Sequence, residues 1–148
     1  MLGNNYFFTD NLLNMFINIK GSVRLKDIAH QFNRQFPFLQ LGFYYPDYFD
    51  VAMRGQLIDP ELTIVEAGPI IKDDLVEFHY WQQTGEVEKL LSHKIGLNVQ
   101  VLRKYHTHWI RTEGSDILSL EEQNDNGRQY TIRNYSSYLS RFPRNKAI

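Results

Sequence analysis

The chain of 148 residues contains no cysteine. A disulfide framework, a thiolate zinc site and a cysteine nucleophile are thereby excluded. Nor does any apolar run approach the roughly 20 residues that a membrane-spanning helix needs, so no membrane partner is expected. Proline and glycine are few, 5 and 9, and the glycines are dispersed singly. The sequence holds no Gly-rich phosphate loop, no Gly-x-Gly-x-x-Gly turn and no Gly-x-Ser-x-Gly elbow. These absences imply no cofactor and no catalytic residue, and they point to a non-enzymatic protein. The first 14 residues lack a basic start and a small-residue cleavage site, and Asp10 interrupts them. No signal peptide is therefore expected, and a cytoplasmic location follows, although a lack of cysteine also suits the periplasm.

What is present is the composition of a soluble folded protein, 43% apolar and 22% charged, which is unlike that of a disordered chain. The net charge of −1 gives no overall attraction to nucleic acid. Its distribution is uneven. From Arg128 onward come Arg128, Arg133, Arg141, Arg144 and Lys146 with no acid, leaving residues 1–127 clearly acidic.

The pattern of the chain is stated twice. Ile17 and Ile19 alternate with polar residues, as in a half-buried strand. Gly21-Ser22 then offers a turn and an N-cap. Leu25, Ile28, Ala29, Phe32 and Phe36 recur at spacings of three and four, the stripe of an amphipathic helix. Pro37 ends that helix, and Leu39, Leu41 and Phe43 resume period two. Farther on, Val76, Phe78 and Tyr80 alternate. Thr84 can cap a helix whose stripe is Val87, Leu90, Leu91 and Ile95, with Glu86 and Glu88 at its positive end and Gly96 as its stop. Leu97, Val99 and Val101 follow. In this reading Ile17 matches Val76, Leu25 matches Val87, and Leu39-Gln40-Leu41 matches Val99-Gln100-Val101. Residues 62–66 match residues 118–122.

These patterns predict an α+β fold of two similar βαββ units, residues 16–68 and 75–127, each with its helix on one sheet face. The units lie between an N-terminal extension, residues 1–15, and a basic aromatic segment, residues 128–148. The hairpin of the second unit falls at residues 102–108. Strand, capped helix, strand and turn is also the order in which a β-grasp begins.

One stretch resembles a known pattern. Ile95-Gly-Leu-Asn-Val-Gln-Val-Leu-Arg-Lys104, Trp109-Ile-Arg-Thr112, Leu118-Ser-Leu-Glu-Glu-Gln-Asn124 and Gly127 are similar to GLxVQVxRK…W(I/L)xT…LxEQNxxG, found in a small uncharacterised bacterial family. The likeness covers about residues 86–127. It departs at Gly114-Ser115-Asp116-Ile117, where that pattern has Thr-Asp. The resemblance implies a small α+β domain and no catalytic residues.

Candidate sites are few. His106 and His108 stand two apart and would share a strand face, a spacing at which two imidazoles can hold one metal ion. An exposed hairpin tip, where polar residues belong, accounts for them better, and no metal is expected. The carboxylate pairs Asp73-Asp74, Glu86 with Glu88, and Glu121-Glu122 lack the convergence that acid–base chemistry requires. In the tail, Tyr130, Tyr135, Tyr138 and Phe142 interleave with arginines, a pattern that suits single-stranded nucleic acid. The near-helical spacing of Ile132, Tyr135, Tyr138 and Leu139 favours a packed helix instead. The aromatic run is the better candidate. Tyr44, Tyr45, Tyr48 and Phe49 exceed what one strand face can bury, and such residues are enriched where partners dock. The expectation is a protein partner bound at residues 44–49 and at any open strand edge. The alternatives are a small-ligand or metal-binding domain that uses the cleft between the halves near His106, His108 and Trp109, or a nucleic-acid binder that uses residues 128–148; self-association is also open.

Overall fold

The computed structural model describes residues 15–69 and 71–141, without the side chains of 132–141. The expected N-terminal extension and the tail face from Ile132 to Phe142 fall on residues or side chains outside those described. The segment Met15–Ile19 buries Met15, Ile17 and Ile19 and turns Phe16 and Asn18 outward, forming β1. α1 (Leu25–Gln35) buries Leu25, Ile28, Ala29 and Phe32, the face that their spacing dictates, and stops just before Pro37. β2 (Leu39–Tyr44) follows. α2 (Ile64–Ala67) is a single turn capped by Thr63, whose hydroxyl accepts from Glu66 N–H at 3.1 Å.

The second half runs through β3 (Asp74–Phe78), α3 (Thr84–Ile95), β4 (Asn98–Tyr105), β5 (His108–Arg111) and α4 (Leu120–Arg141). Gly96 closes α3 at a φ of 80°, a conformation that costs glycine nothing. α4 opens as α2 does, Ser119 Oγ accepting from Glu122 N–H at 3.1 Å. It then continues through residues 127 and 128, so the division expected there falls within a helix.

The strands form two antiparallel sheets, β1-β3 and β2-β4-β5. The βαββ expectation needs correction in two respects. First, β1 and β2 share no sheet, and each pairs with a strand of the other half. Ile17 stands opposite Val76 and Leu41 opposite Val101, so residues matched by sequence face one another across the ladders. Second, the first half has no second hairpin among the described residues. Residues 45–57 instead close into turns, with Tyr45 N–H donating to Gln56 O and Gly55 N–H to Tyr45 O, and the bridge Tyr44–Leu57 stands where a strand was expected.

The backbone hydrogen bonds around the two helix starts nonetheless recur. Leu25 N–H donates to Leu62 O, and Thr84 N–H to Leu118 O. Lys26 N–H donates to Pro60 O, and Gly85 N–H to Asp116 O. Ile64 N–H reaches Val23 O, and Leu120 N–H reaches Gln82 O. The equivalent of Leu25 is thus Thr84 rather than Val87. The apolar stripes fit at two phases one turn apart, and only the backbone partners choose between them.

Both halves feed one continuous core. Phe32 of α1 lies with its ring centroid 5.8 Å from that of Phe78 in β3, and both rings are fully buried. Replacing either with Ala is expected to cost about 3–5 kcal/mol in chemical denaturation. A double-mutant cycle should show a coupling above about 0.5 kcal/mol, because the two rings are in contact. Strict additivity would mean that the halves pack independently.

Candidate functional site

An antiparallel ladder bonds alternate residues to the partner strand and points the intervening ones away from it. Lys104 N–H donates to Phe38 O, which places residues 40, 42 and 44 of β2 in bonded pairs with β4. Leu39, Leu41 and Phe43 therefore direct their backbone groups off the open edge of β2. On β4 the same logic exposes Val99 and Val101 beyond the end of β5.

The second half closes its edge with side chains. Ser92 Oγ accepts from Val99 N–H at 2.9 Å. One turn earlier on α3, Glu88 Oε2 accepts from Val101 N–H at 3.0 Å, and Thr112 Oγ1 donates to Val101 O at 3.1 Å. Burial pushes the Glu88 carboxyl above its ordinary range. The Val101 N–H opposes that rise, and the charges of Asp116 and Glu113 add to it.

The first half closes its edge only in part. Asn33, the counterpart of Ser92, donates from Nδ2 to Leu39 O at 2.7 Å. Ile58 N–H donates to Phe43 O at 2.8 Å. The counterpart of Glu88 is Ala29, which has nothing to offer. Leu41 N–H and C=O and Phe43 N–H consequently find no partner among the described residues.

Each edge lies in a groove between its helix and the segment that straps the helix start. The first encloses about 540 Å³ among Lys26, Ala29, His30, residues 40–44, Leu57, Ile58, Pro60, Leu102 and Trp109. No carboxylate is among these lining residues. The second encloses about 580 Å³, and Glu86, Glu88, Glu113 and Asp116 line it. Lys26 answers to Gly85, His30 to Lys89 and Pro60 to Asp116. One geometry carries two chemistries.

The expected docking residues take different positions around this frame. Tyr44 is half-buried in the first groove, with the Arg111 guanidinium 4.4 Å above its ring. Tyr45 rests on the core. Phe49 is half-buried, its centroid 5.0 Å from Tyr45 and 5.3 Å from Tyr48, and it fills the space beside Gly68, where a Cβ would lie 2.6 Å from its ring. Only Tyr48 stands out, 71% exposed, with its hydroxyl donating to Gly96 O.

The two histidines do not share a strand face. His106 sits at the hairpin tip with a φ of 57°, edge-on to Tyr105, whereas His108 begins β5. Glu113 is engaged by Arg111 at 3.1 Å. Among the described residues no group of three His, Cys, Asp or Glu could hold a metal ion, and no helix is long and apolar enough to cross a membrane. No protein-family model, curated protein or solved structure matches the chain.

Glu88, Ala29 and Leu41 were not candidates from sequence, yet a signal was there. Glu88 and Ser92 stand one turn apart on α3, as Ala29 and Asn33 do on α1, and only one of the four lacks a polar side chain. The Glu88 assignment is tested by two substitutions. With its carboxyl raised in the folded state, Glu88 contributes most stability below the ordinary value of 4.5 and loses that contribution as pH rises through the folded value. Glu88→Gln keeps an acceptor for Val101 N–H and removes the charge, so melts from about pH 5 to 8 should show a shallower fall in stability than in the parent. Glu88→Ala leaves the N–H bare and should cost about 1–2 kcal/mol across that range.

Proposed function

We propose that this chain is a non-enzymatic protein-binding module that takes up an extended segment of a partner along the open edge of β2. The observation that carries this reading is the backbone of Leu41 and Phe43, whose donors and acceptor open into a groove and have no partner among the described residues. An unpaired edge recruits extended chain, because main-chain hydrogen bonds supply affinity and adjoining pockets supply specificity. The walls suit the side chains of such a segment: Ala29, Leu57, Leu102 and Trp109 are apolar or aromatic. Leu57 also joins the groove to residues 45–57, where Tyr48, Val51 and Met53 are exposed. The aromatic loop expected to dock a partner thus forms the rim of the site rather than its floor.

The recurring hydrogen bonds further support an origin of the two halves by duplication, followed by divergence of the grooves. The resemblance of residues 86–127 to a small bacterial family fits this history, since it spans the half whose groove is closed.

A random-peptide display selection against the immobilised protein tests the function. Enriched peptides, titrated into isotope-labelled protein, should shift the amide signals of Leu41 and Phe43 most. The rim variant His30→Glu with Leu57→Glu changes two exposed side chains, so it should keep the parent melting temperature while weakening those peptides at least tenfold. Failure to enrich any peptide, or shifts centred away from β2, would overturn the proposal.

A further inference from the structure

The second groove shows what chemical group completes an edge of this shape. At Val101 the chain supplies a carboxylate to the N–H and a hydroxyl to the C=O. At Leu41 the same two backbone groups find no partner among the described residues, and alanine at position 29 brings no carboxylate to the N–H. We infer that the segment bound at β2 is acidic, with an Asp or Glu side chain whose carboxylate accepts from Leu41 N–H in the place that Glu88 occupies on Val101. This inference rests on the docking reading above and names the chemistry of its ligand.

Three further observations agree. The frame of the groove recurs, since the start of α1 is tied to its strap by Lys26 N–H to Pro60 O as the start of α3 is tied to its own by Gly85 N–H to Asp116 O. Its volume of about 540 Å³ leaves room for an incoming side chain beside Ala29. Its charge is complementary: Lys26 and His30 line it with no acid among them, whereas the twin groove carries four carboxylates. Lys26 already holds Glu61 at 3.0 Å on the exposed side. An ammonium has three donors, so a second carboxylate can share it. A charge-assisted bond to a backbone N–H is roughly twice as strong as a neutral one, which gives an acidic residue the advantage over its amide.

The experiment uses the full chain and two synthetic peptides, acetyl-Thr-Val-Thr-Glu-Thr-Val-Thr-amide and the same peptide with Gln in place of Glu. Each is titrated into isotope-labelled protein, and the Leu41 amide is followed. The Glu peptide should bind about tenfold more tightly and move the Leu41 proton downfield. Ala29→Glu installs the missing carboxylate within the chain. It should shift the Leu41 amide downfield without any peptide, slow its hydrogen exchange, and abolish the response to the Glu peptide. Ala29→Ser, a smaller change, should retain peptide binding and serves if the glutamate variant does not fold. Equal binding of the two peptides at Leu41 would overturn the carboxylate assignment and leave segment docking standing. No binding of either peptide, together with an unmoved Leu41 amide in Ala29→Glu, would overturn both.

Discussion

Both strands of the first half take their ladder hydrogen bonds from the second, β1 from β3 and β2 from β4. A buried strand left alone would carry a row of unmet donors and acceptors, each costly away from water. The two halves are therefore bound by backbone chemistry before any side chain is considered. Because the ladders are centred on Ile17 with Val76 and on Leu41 with Val101, each half presents the other with nearly the same surface. Phe32 and Phe78 then seal the join inside the common core.

This interlock also decides where edges remain. β2 is paired by the opposite half on one side only, and β4 runs on past the end of β5 at Val99 and Val101, so that each leaves a stretch of edge beside the helix that precedes it. α3 meets β4 with Ser92 and Glu88, while α1 meets β2 with Asn33 and Ala29. Covering an edge is a common defence against unwanted pairing. Here the defence has a cost, visible in the carboxyl of Glu88, which burial raises. The first half avoids that cost and leaves the edge available. The contrast lies in a few side chains on one backbone frame, so it reflects the chemistry chosen at the site and not a difference in architecture.

Much of this frame was legible in the sequence. Period-two alternation marked β1 and β2, spacings of three and four marked α1 and α3, and Pro37 and Gly96 marked their ends. The likeness of residues 62–66 to 118–122 was legible as a match, but not the capped helix starts that the two stretches form. Strand pairing was not legible, because period two says which face a strand buries and nothing about its neighbour. Nor was the fate of the aromatic run. Composition alone made Tyr44, Tyr45 and Phe49 look surplus, but the loop folds back so that Tyr45 reaches the core and Phe49 packs between rings. The hairpin at residues 102–108 was legible too, but not its turn: the two-residue tip between Tyr105 and His108 puts His106 in a left-handed conformation, off any strand face shared with His108. The groove itself has no signature in the sequence, because its decisive groups belong to the backbone.

The half-burial of those aromatics bears on binding in its own right. A docking site loses affinity to whatever order it must impose on itself. The rim beside β2 already has much of that order. Tyr48 donates its hydroxyl to Gly96 O, tying the loop to the end of α3. Phe49 occupies the space beside Gly68, and Arg54 Nε donates to Phe49 O at 3.3 Å. Tyr44 is held beneath Arg111. With the rim fixed by contacts to the second half, the apolar side chain of Leu57 is presented at the mouth of the groove without being buried. On the proposed reading, a segment entering along β2 would meet a preformed wall, and its binding energy would go into the open hydrogen bonds of Leu41 and Phe43 rather than into ordering the loop.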